Sequence, residues 1–186
     1  MPNKVPEQLQ TAVSQLKAGA VIAYPTETVW GFGCDPNNQA AVCQLLELKQ
    51  RSVEKGLILV AADSEQFAPF LSRLDPALQN KFNTPTDIPT TWLVPGTIAP
   101  AWVRGKFDSI ALRVSTNKQV KALCKAFGGP IVSTSANVSG QPTASSAEQL
   151  EPFLERGLAY ILPGSIAAGG QPSVIRDLLT DQLIRG

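Results

Sequence analysis

The stretch SIALRVSTNKQVKALCKAFGGPIVSTS, residues 109–135, decides the fold class because it predicts a strand, a helix and a second strand in succession. The strands are SIALRV (Ser109–Val114) and PIVSTS (Pro130–Ser135), and the helix between them covers Lys118–Phe127. A strand, a helix and a strand in this order are typical of α/β domains.

The alternation of strands and helices continues from this unit to both ends of the chain. The other predicted strands are Ala20–Pro25, Leu57–Ala61, Thr90–Pro95, Ala159–Pro163 and a last pair in SVIRDL and QLIRG. An N-terminal helix is predicted from Val5, Leu9, Val13 and Leu16, which share one face. The other predicted helical segments are Ala41–Lys49, a region over Ser64–Phe82 and one around Ser146–Glu155. The segment TETVWGFGCDPNN is predicted to be turn-rich. The 186 residues therefore predict a single α/β domain over 1–186, with an open, twisted, mixed parallel and antiparallel sheet flanked by helices.

The composition excludes several classes of function. The chain contains no His, which rules out Ser-His-Asp and Cys-His catalysis, HExxH zinc sites and His-ligated haem. A net charge of +1 argues against attachment to nucleic acid or a membrane by bulk charge. Three cysteines without a CxxC pair, and a start without an apolar signal segment, lead us to expect a reduced, cytoplasmic protein.

Nucleotide fingerprints are missing, so a bound nucleotide requires another arrangement of residues. The chain has no GxxxxGK[ST] motif, and Gly31-Phe32-Gly33 is only a fragment of GxGxxG. Four other segments, all at strand ends or in loops, are candidates for a ligand site.

Two candidate segments lie in the first third of the chain. PTETVWGFG (25–33) places two hydroxyls, one carboxylate and two glycines after a strand, which suits a close approach to a ligand; an ordinary capped turn explains the same residues. Lys49, Arg51 and Lys55 are three cations within seven residues, which can hold a polyphosphate. Alternatively, they complement the dipole at the end of the preceding helix.

Two further candidates coincide with the strands of the opening stretch. In FDSIALRV (107–114), alternation places Ser109, Ala111 and Arg113 on one face, and an arginine inside a strand requires an anion, either a ligand or a structural ion-pair partner. STSANVSG (133–140) ends the other strand, and no charged residue occurs between Ala126 and Ala147. Its hydroxyl and N–H donors can bind phosphate or carboxylate oxygens, although a plain Asn- and Gly-rich loop is the alternative.

In this order, the four segments resemble the YrdC/TsaC family, the threonylcarbamoyl-AMP synthases of tRNA modification. The shared motifs are AYPTETVWGFG, LLELKQRS, FDSIALRV, PIVSTSANVSG and PSVIRD, and the resemblance runs from about Lys17 to the C-terminus. It implies an open α/β sheet with a positively lined cleft. It also implies an enzyme that makes L-threonylcarbamoyladenylate and pyrophosphate from L-threonine, bicarbonate or carbon dioxide and ATP, for N6-threonylcarbamoyladenosine in tRNAs that read codons beginning with A.

The resemblance assigns roles by position and implies no covalent nucleophile. It implies that the triphosphate is bound, and its charge stabilised, by Lys49 and Arg51, with Lys55 beside them. The nucleotide side would also include Ser109, Ser135, Asn137, Thr143 and Arg185. The threonine side would be formed by Thr28, Arg113, Ser133 and Ser173.

The resemblance also implies partners. Mg²⁺ would be held mainly through the phosphates of ATP, with no metal ligands from the chain, and transferase machinery of the TsaB/TsaD/TsaE type would receive the product. A tRNA- or double-stranded-RNA-binding module of the same fold without catalysis is an alternative, although the charge of +1 and the lack of basic–aromatic interleaving argue against RNA as the main ligand. A carbamoyl-transfer domain of the hydrogenase-maturation kind is another, normally accompanied by zinc-finger and acylphosphatase modules.

Overall fold

The computed structural model describes residues 6–166 and 173–185 of the chain. Its strands are β1 (Val21–Pro25), β2 (Trp30–Gly33), β3 (Ile58–Ala61), β4 (Thr90–Pro95), β5 (Ser109–Val114), β6 (Ile131–Ser135), β7 (Leu158–Ile161), β8 (Val174–Asp177) and β9 (Leu183–Arg185). Its α-helices are α1 (Glu7–Lys17), α2 (Gln39–Lys49), α3 (Ala68–Leu71), α4 (Pro76–Asn83), α5 (Ala101–Arg104), α6 (Lys118–Phe127) and α7 (Glu151–Leu154). Of the residues predicted in elements, Val5 and Gly186 lie outside the described residues.

All the described strands form one sheet in the order β7-β1-β2-β6-β3-β5-β4-β8-β9. The pairs β1–β7, β3–β5 and β4–β8 are parallel, and the other neighbouring pairs are antiparallel. The mixed α/β sheet predicted from the sequence is therefore confirmed. Its central strands β6, β3 and β5 each have a hydrogen-bonded neighbour on both sides.

The two faces of the sheet are covered by different elements. Along β1, Ile22 and Tyr24 pack with α1 and α6, while Val21 and Ala23 pack with α2 on the opposite face. This alternation follows from the two-residue period of a strand. Because α1 and α6 cover only part of their face, the remainder of that face is left open for the site described below.

The structure corrects the prediction for residues 30–33, which form strand β2 rather than part of a turn. Trp30 and Phe32 are buried on one face, whereas Gly31 and Gly33 lie on the other. A Cβ atom at Gly33 would stand 2.7 Å from Cε1 of Tyr24, so the glycine makes room for a neighbouring ring in the sheet. Gly33, one of the two glycines that suggested a turn, is therefore required by strand packing.

Two predicted helical regions are more broken than the sequence pattern suggests. Residues 64–82 form a 3₁₀ turn (Ser64–Phe67) followed by α3 and α4, and α4 begins afresh at Pro76 with Asp75 capping the N–H of Leu78 at 2.9 Å. The helix expected around Ser146–Glu155 is a 3₁₀ turn (Glu148–Leu150) that continues into α7.

Candidate active site

A cavity of about 380 Å³ opens on the face of the sheet that α1 and α6 leave uncovered. Its floor consists of side chains in lateral register on neighbouring strands: Gly31 is opposite Ser135, and Ile58 is opposite both Ser133 and Ala111. Deeper under α1 and α6, the same face carries large apolar residues such as Val60 and Ile131. The cavity therefore exists because the side chains become small or hydroxyl-bearing where the helices stop.

The walls of the cavity are cationic. Among the described residues that line it are five cationic side chains and no Asp or Glu; the cations are Arg51, Lys55, Arg104, Arg113 and Arg185. Burial, and then the neighbouring Arg185, lowers the pKa of Arg51 below its ordinary value. A neutral floor with hydroxyl donors and cationic walls is an arrangement that binds anions such as phosphates and carboxylates.

Most of the predicted site residues lie along this one cavity. They are Thr28, Arg51, Lys55, Ser109, Arg113, Ser133, Ser135, Thr143, Ser173 and Arg185. Segments that are far apart in the sequence are brought together by the strand order, which puts β6 and β5 on either side of β3. Lys49 and Asn137 are not among the lining residues.

Lys49 lies behind the cavity wall, where it supports the loop that follows β6. Its side chain is buried, and Nζ donates to the carbonyl oxygens of Ser135 and Asn137 and to Oδ1 of Asn137, the last two at 3.0 and 3.1 Å. Burial, and then the neighbouring Arg51, lowers the pKa of Lys49 to about 8. Since three acceptors use the three donors of the ammonium group, the structure gives Lys49 no free donor for a phosphate.

Asn137 is the second predicted ligand that faces into the protein. Its Oδ1 accepts from Ser135 Oγ at 2.7 Å as well as from Lys49, and its Nδ2 donates to the carbonyl of Gln141 at 2.6 Å. The amide thereby ties together both ends of the 135–141 loop. In this structure, Lys49 and Asn137 make contacts that shape the loop presenting Ser135.

Arg51 faces the cavity because the chain turns sharply where helix α2 ends. Gln50 adopts a left-handed conformation (φ 49°) that turns the chain away from the helix axis. The Arg51 Nη2 then donates to the carbonyl oxygens of Lys55 and Gly56 at 3.3 and 2.9 Å, while its buried Nε has no partner among the described residues. The guanidinium is thus held in place and keeps a donor available.

The PTET turn between β1 and β2 is both a capped turn and part of the cavity. Thr26 Oγ1 donates to the carbonyl of Val29 at 2.6 Å and accepts the N–H of Val29 at 3.3 Å, which closes the turn. Thr26 and Thr28 line the cavity. The two interpretations that the sequence left open are therefore compatible.

The anionic partner required by Arg113 is the carboxylate of Glu27, which lies 3.5 Å from Nη2. Burial alone would raise the pKa of Glu27, but Arg113 and hydrogen bonds from Ser115 and Thr116 outweigh it and hold that pKa at about 2. The structural ion pair considered from the sequence is present. Arg113 forms this ion pair and also lies on the cavity wall.

Among the described cationic residues that line the cavity, Arg104 is the one that the sequence did not predict. It ends the short helix α5, and no recognisable motif surrounds it. Gly105 follows it at φ 68° and packs so closely that a Cβ atom there would lie 2.5 Å from the carbonyl oxygen of Glu54. This close approach of two loops places the backbone of Arg104 against Gly56, and only the tertiary structure reveals it.

The described residues form neither a metal-binding cluster nor a membrane-spanning helix. No group of three or more Cys, Asp or Glu side chains there is placed to hold a metal ion. No helix in residues 6–166 or 173–185 is long and apolar enough to cross a membrane.

The fold and the site define an α/β protein with an anion-binding cavity on one sheet face, and comparison with known proteins identifies the family. The Sua5/YciO/YrdC family model, described as telomere recombination, matches residues 14–185, and the chain belongs to this family. It is 48% identical over 180 residues to the threonylcarbamoyl-AMP synthase of Stenotrophomonas maltophilia, covering 95% of this chain and 97% of that protein. For the threonylcarbamoyl-AMP synthase of Cellvibrio japonicus the identity is 45% over 175 residues, covering 94% and 93%.

A solved relative adds a bound molecule to the comparison. The structure of P. abyssi Sua5 complexed with L-threonine matches this fold with a TM-score of 0.82 and 27% sequence identity. The match covers 94% of this chain and 52% of the P. abyssi chain, so this chain spans about half the length of that relative.

Proposed function

We propose that this protein is an L-threonylcarbamoyladenylate synthase, which forms threonylcarbamoyl-AMP and pyrophosphate from L-threonine, bicarbonate or carbon dioxide, and ATP. The observation that carries the proposal is the cavity, whose hydroxyl floor and cationic walls suit a substrate set of one triphosphate and two carboxylates. Relatives that bear this name at 45 and 48% identity over nearly the whole chain support it. A single domain, residues 1–186, would bind both the nucleotide and threonine and would act in the cytoplasm.

The reaction requires positioning and charge stabilisation rather than a protein nucleophile. The threonine nitrogen forms a bond to the carbon of bicarbonate with loss of water, or to carbon dioxide with loss of a proton, and gives an N-carboxylated amine. An oxygen of the new carboxylate then forms a bond to the α-phosphorus of ATP. The bond from that phosphorus to the bridging oxygen of pyrophosphate breaks in line, and the negative charge that develops on pyrophosphate is the main target for stabilisation. Arginine and lysine side chains on the walls can supply that stabilisation.

We assign the two ends of the cavity to the two substrates. Arg51, Lys55 and Arg185, with Ser109, Ser135 and Thr143, would hold the nucleotide, with Lys49 and Asn137 supporting Ser135 from behind. Thr28, Arg113, Ser133 and Ser173 would hold threonine; Ser173 is fixed by a 2.8 Å hydrogen bond with Thr91. Ser109 and Arg113 are four residues apart on β5, which separates these two residues by roughly 13 Å. The two groups meet elsewhere, because Arg185 Nη2 donates to the carbonyl oxygen of Ser173 at 3.5 Å.

Mg²⁺ would enter with the nucleotide. The cavity walls carry cations and the described lining offers no carboxylate, so the donor set suits the phosphates of ATP and not the metal itself. We therefore infer that the phosphate oxygens and water would hold the ion, which would neutralise part of the triphosphate charge.

The product is a reactive mixed anhydride, so we infer that a transferase machinery of the TsaB/TsaD/TsaE type receives it for modification of tRNA. Weak binding of tRNA or double-stranded RNA to this chain would be compatible with such a handover. An RNA-binding module without catalysis is the competing proposal, and the following measurement separates the two.

Pyrophosphate release should require ATP, L-threonine and bicarbonate together and should not require tRNA. The physical reason is that the cavity binds all the reacting groups, so no RNA is needed to complete the site. The test combines a pyrophosphate assay with mass-spectrometric detection of threonylcarbamoyl-AMP. Equal release without threonine, or an absolute need for tRNA, would overturn the proposed function.

Removing the thiols should leave turnover within about twofold, because adenylyl transfer has no step for a thiolate. Cys34 and Cys124 are buried, burial raises the pKa of both thiols, and Cys43 is exposed; none of the three lines the cavity. The variant is Cys34→Ala, Cys43→Ser, Cys124→Ala, in which alanine avoids burying an unpaired hydroxyl. Loss of turnover with intact ATP binding would point to a covalent mechanism.

A further inference from the structure

The carboxylate of Glu27 joins three separate parts of the fold. Glu27 lies in the PTET turn between β1 and β2, and its Oε1 reaches the start of helix α6. There it accepts hydrogen bonds from Ser115 Oγ at 2.7 Å, Thr116 N at 2.8 Å, Asn117 N at 3.2 Å and Thr116 Oγ1 at 3.3 Å. Four donors on one oxygen fix the carboxylate in a single orientation.

The other carboxylate oxygen faces Arg113. Oε2 lies 3.5 Å from Nη2, outside hydrogen-bond geometry, and has no hydrogen-bond partner among the described residues. The two side chains are only 13% and 10% exposed, so the attraction between them acts in a poorly solvated environment. The side chain of Arg113 in turn makes no hydrogen bond to the described residues, and its buried Nε has no partner there.

An arginine held by one charge and by no hydrogen bonds is suited to receive a second carboxylate. A guanidinium has five N–H donors in a rigid fork, and in this structure the described residues use none of them in a hydrogen bond. Glu27 offsets the cost of keeping that charge in a nearly buried place. It does so from behind, because Arg113 lines the cavity and Glu27 does not.

We propose that Glu27 is a positioning residue that orients the guanidinium of Arg113 toward the carboxylate of threonine and couples this orientation to the PTET turn, which carries Thr28. The inference rests on the proposed function, because it names a determinant of amino-acid binding at that site. Glu27 is not the proton acceptor of the reaction: it lies outside the cavity lining, and a pKa held at about 2 makes its carboxylate a weak base.

The test is direct measurement of L-threonine binding by calorimetry for wild type, Glu27→Gln and a double variant. Glutamine keeps the length of the side chain and an oxygen for the donors of α6, but it removes the charge that faces Arg113. Glu27→Gln should weaken threonine binding about 5- to 30-fold, which corresponds to the loss of about 1–2 kcal/mol. ATP binding should stay within about twofold, since the nucleotide end is assigned to other side chains.

The double variant Glu27→Gln, Arg113→Ala separates positioning from a general structural effect. If Glu27 acts through Arg113, the loss in the double variant should be close to that of Arg113→Ala alone, because the two residues form one unit. Losses that multiply, or an equal loss of ATP and threonine affinity in Glu27→Gln, would overturn the inference. Threonine binding that stays within twofold of wild type would overturn it as well.

A milder variant covers the case in which Glu27→Gln does not fold. Ser115→Ala removes one of the four donors to Oε1 and leaves both charges in place. It should weaken threonine binding two- to threefold with unchanged ATP binding, and no change in threonine binding would overturn the inference. Wild-type protein that binds threonine but makes no threonylcarbamoyl-AMP would contradict the proposed function and leave the role of Glu27 intact.

Discussion

Arg113→Ala should raise the threonine concentration needed for half-maximal turnover by roughly 10- to 150-fold, and Arg51→Ala should weaken ATP binding and lower the rate by a similar factor. Each variant loses a charge-assisted contact worth about 1.5–3 kcal/mol, which converts to these factors. The two effects should be separable because the side chains serve opposite ends of the cavity. Titration of each substrate on each variant, followed by pyrophosphate release, measures the separation.

Arg113→Lys is the matched control for the threonine end. Lysine keeps a positive charge toward Glu27, so thermal unfolding should change less than in Arg113→Ala, but it lacks the planar fork that pairs with a carboxylate. Threonine binding should therefore remain impaired in a well-folded protein. If Arg113→Ala leaves threonine affinity unchanged, Arg113 has only the structural role that its pairing with Glu27 provides.

Lys49→Met should lower the free energy of unfolding by about 2–4 kcal/mol and weaken ATP binding indirectly. The variant leaves three acceptors on Ser135 and Asn137 without their charged donor, and a buried acceptor without a partner costs about 1–3 kcal/mol before the loop relaxes. The loop that presents Ser135 would then lose its support. Urea denaturation and nucleotide titration measure the two effects.

Lys55→Met provides the comparison within the same cationic segment. Lys55 is exposed, so its replacement should change stability by no more than about 0.5 kcal/mol. If Lys49→Met has wild-type stability but no longer binds ATP, Lys49 contacts the triphosphate directly, as the sequence motif implied. Equal stability losses in both variants would contradict the support role assigned to Lys49.

The sequence predicted the strands and helices that carry the site, but it could not predict the direction in which some of the side chains point. Alternation correctly placed Ser109, Ala111 and Arg113 on one face of β5, because a strand has a fixed two-residue period. Lys49 and Asn137 follow no such period: one ends a helix and the other lies in a loop. Their direction depends on contacts between segments more than 80 residues apart.

Two other features could be recognised only from the tertiary structure, and the reason is different. The strand β2 was missed because Gly31 and Gly33 favour turns locally, whereas the ring of Tyr24 on the neighbouring strand requires a glycine at one of these positions. Arg104 was missed because its place on the cavity wall results from the close packing of Gly105 against the 54–56 loop. In both cases a contact distant in sequence overrides or supplements the local pattern.

The position of the cavity floor also has a consequence for the motions of the protein. The floor lies on β2, β6, β3 and β5, each of which is hydrogen-bonded on both sides, and such strands open only when most of the domain unfolds. The edge strand β9, which carries Arg185 and is exposed along its length, opens far more easily. Amide hydrogen exchange should therefore be slowest in the strands that form the floor and fast at the strand that carries Arg185, so that the two parts of one cavity wall differ widely in how readily their backbone opens.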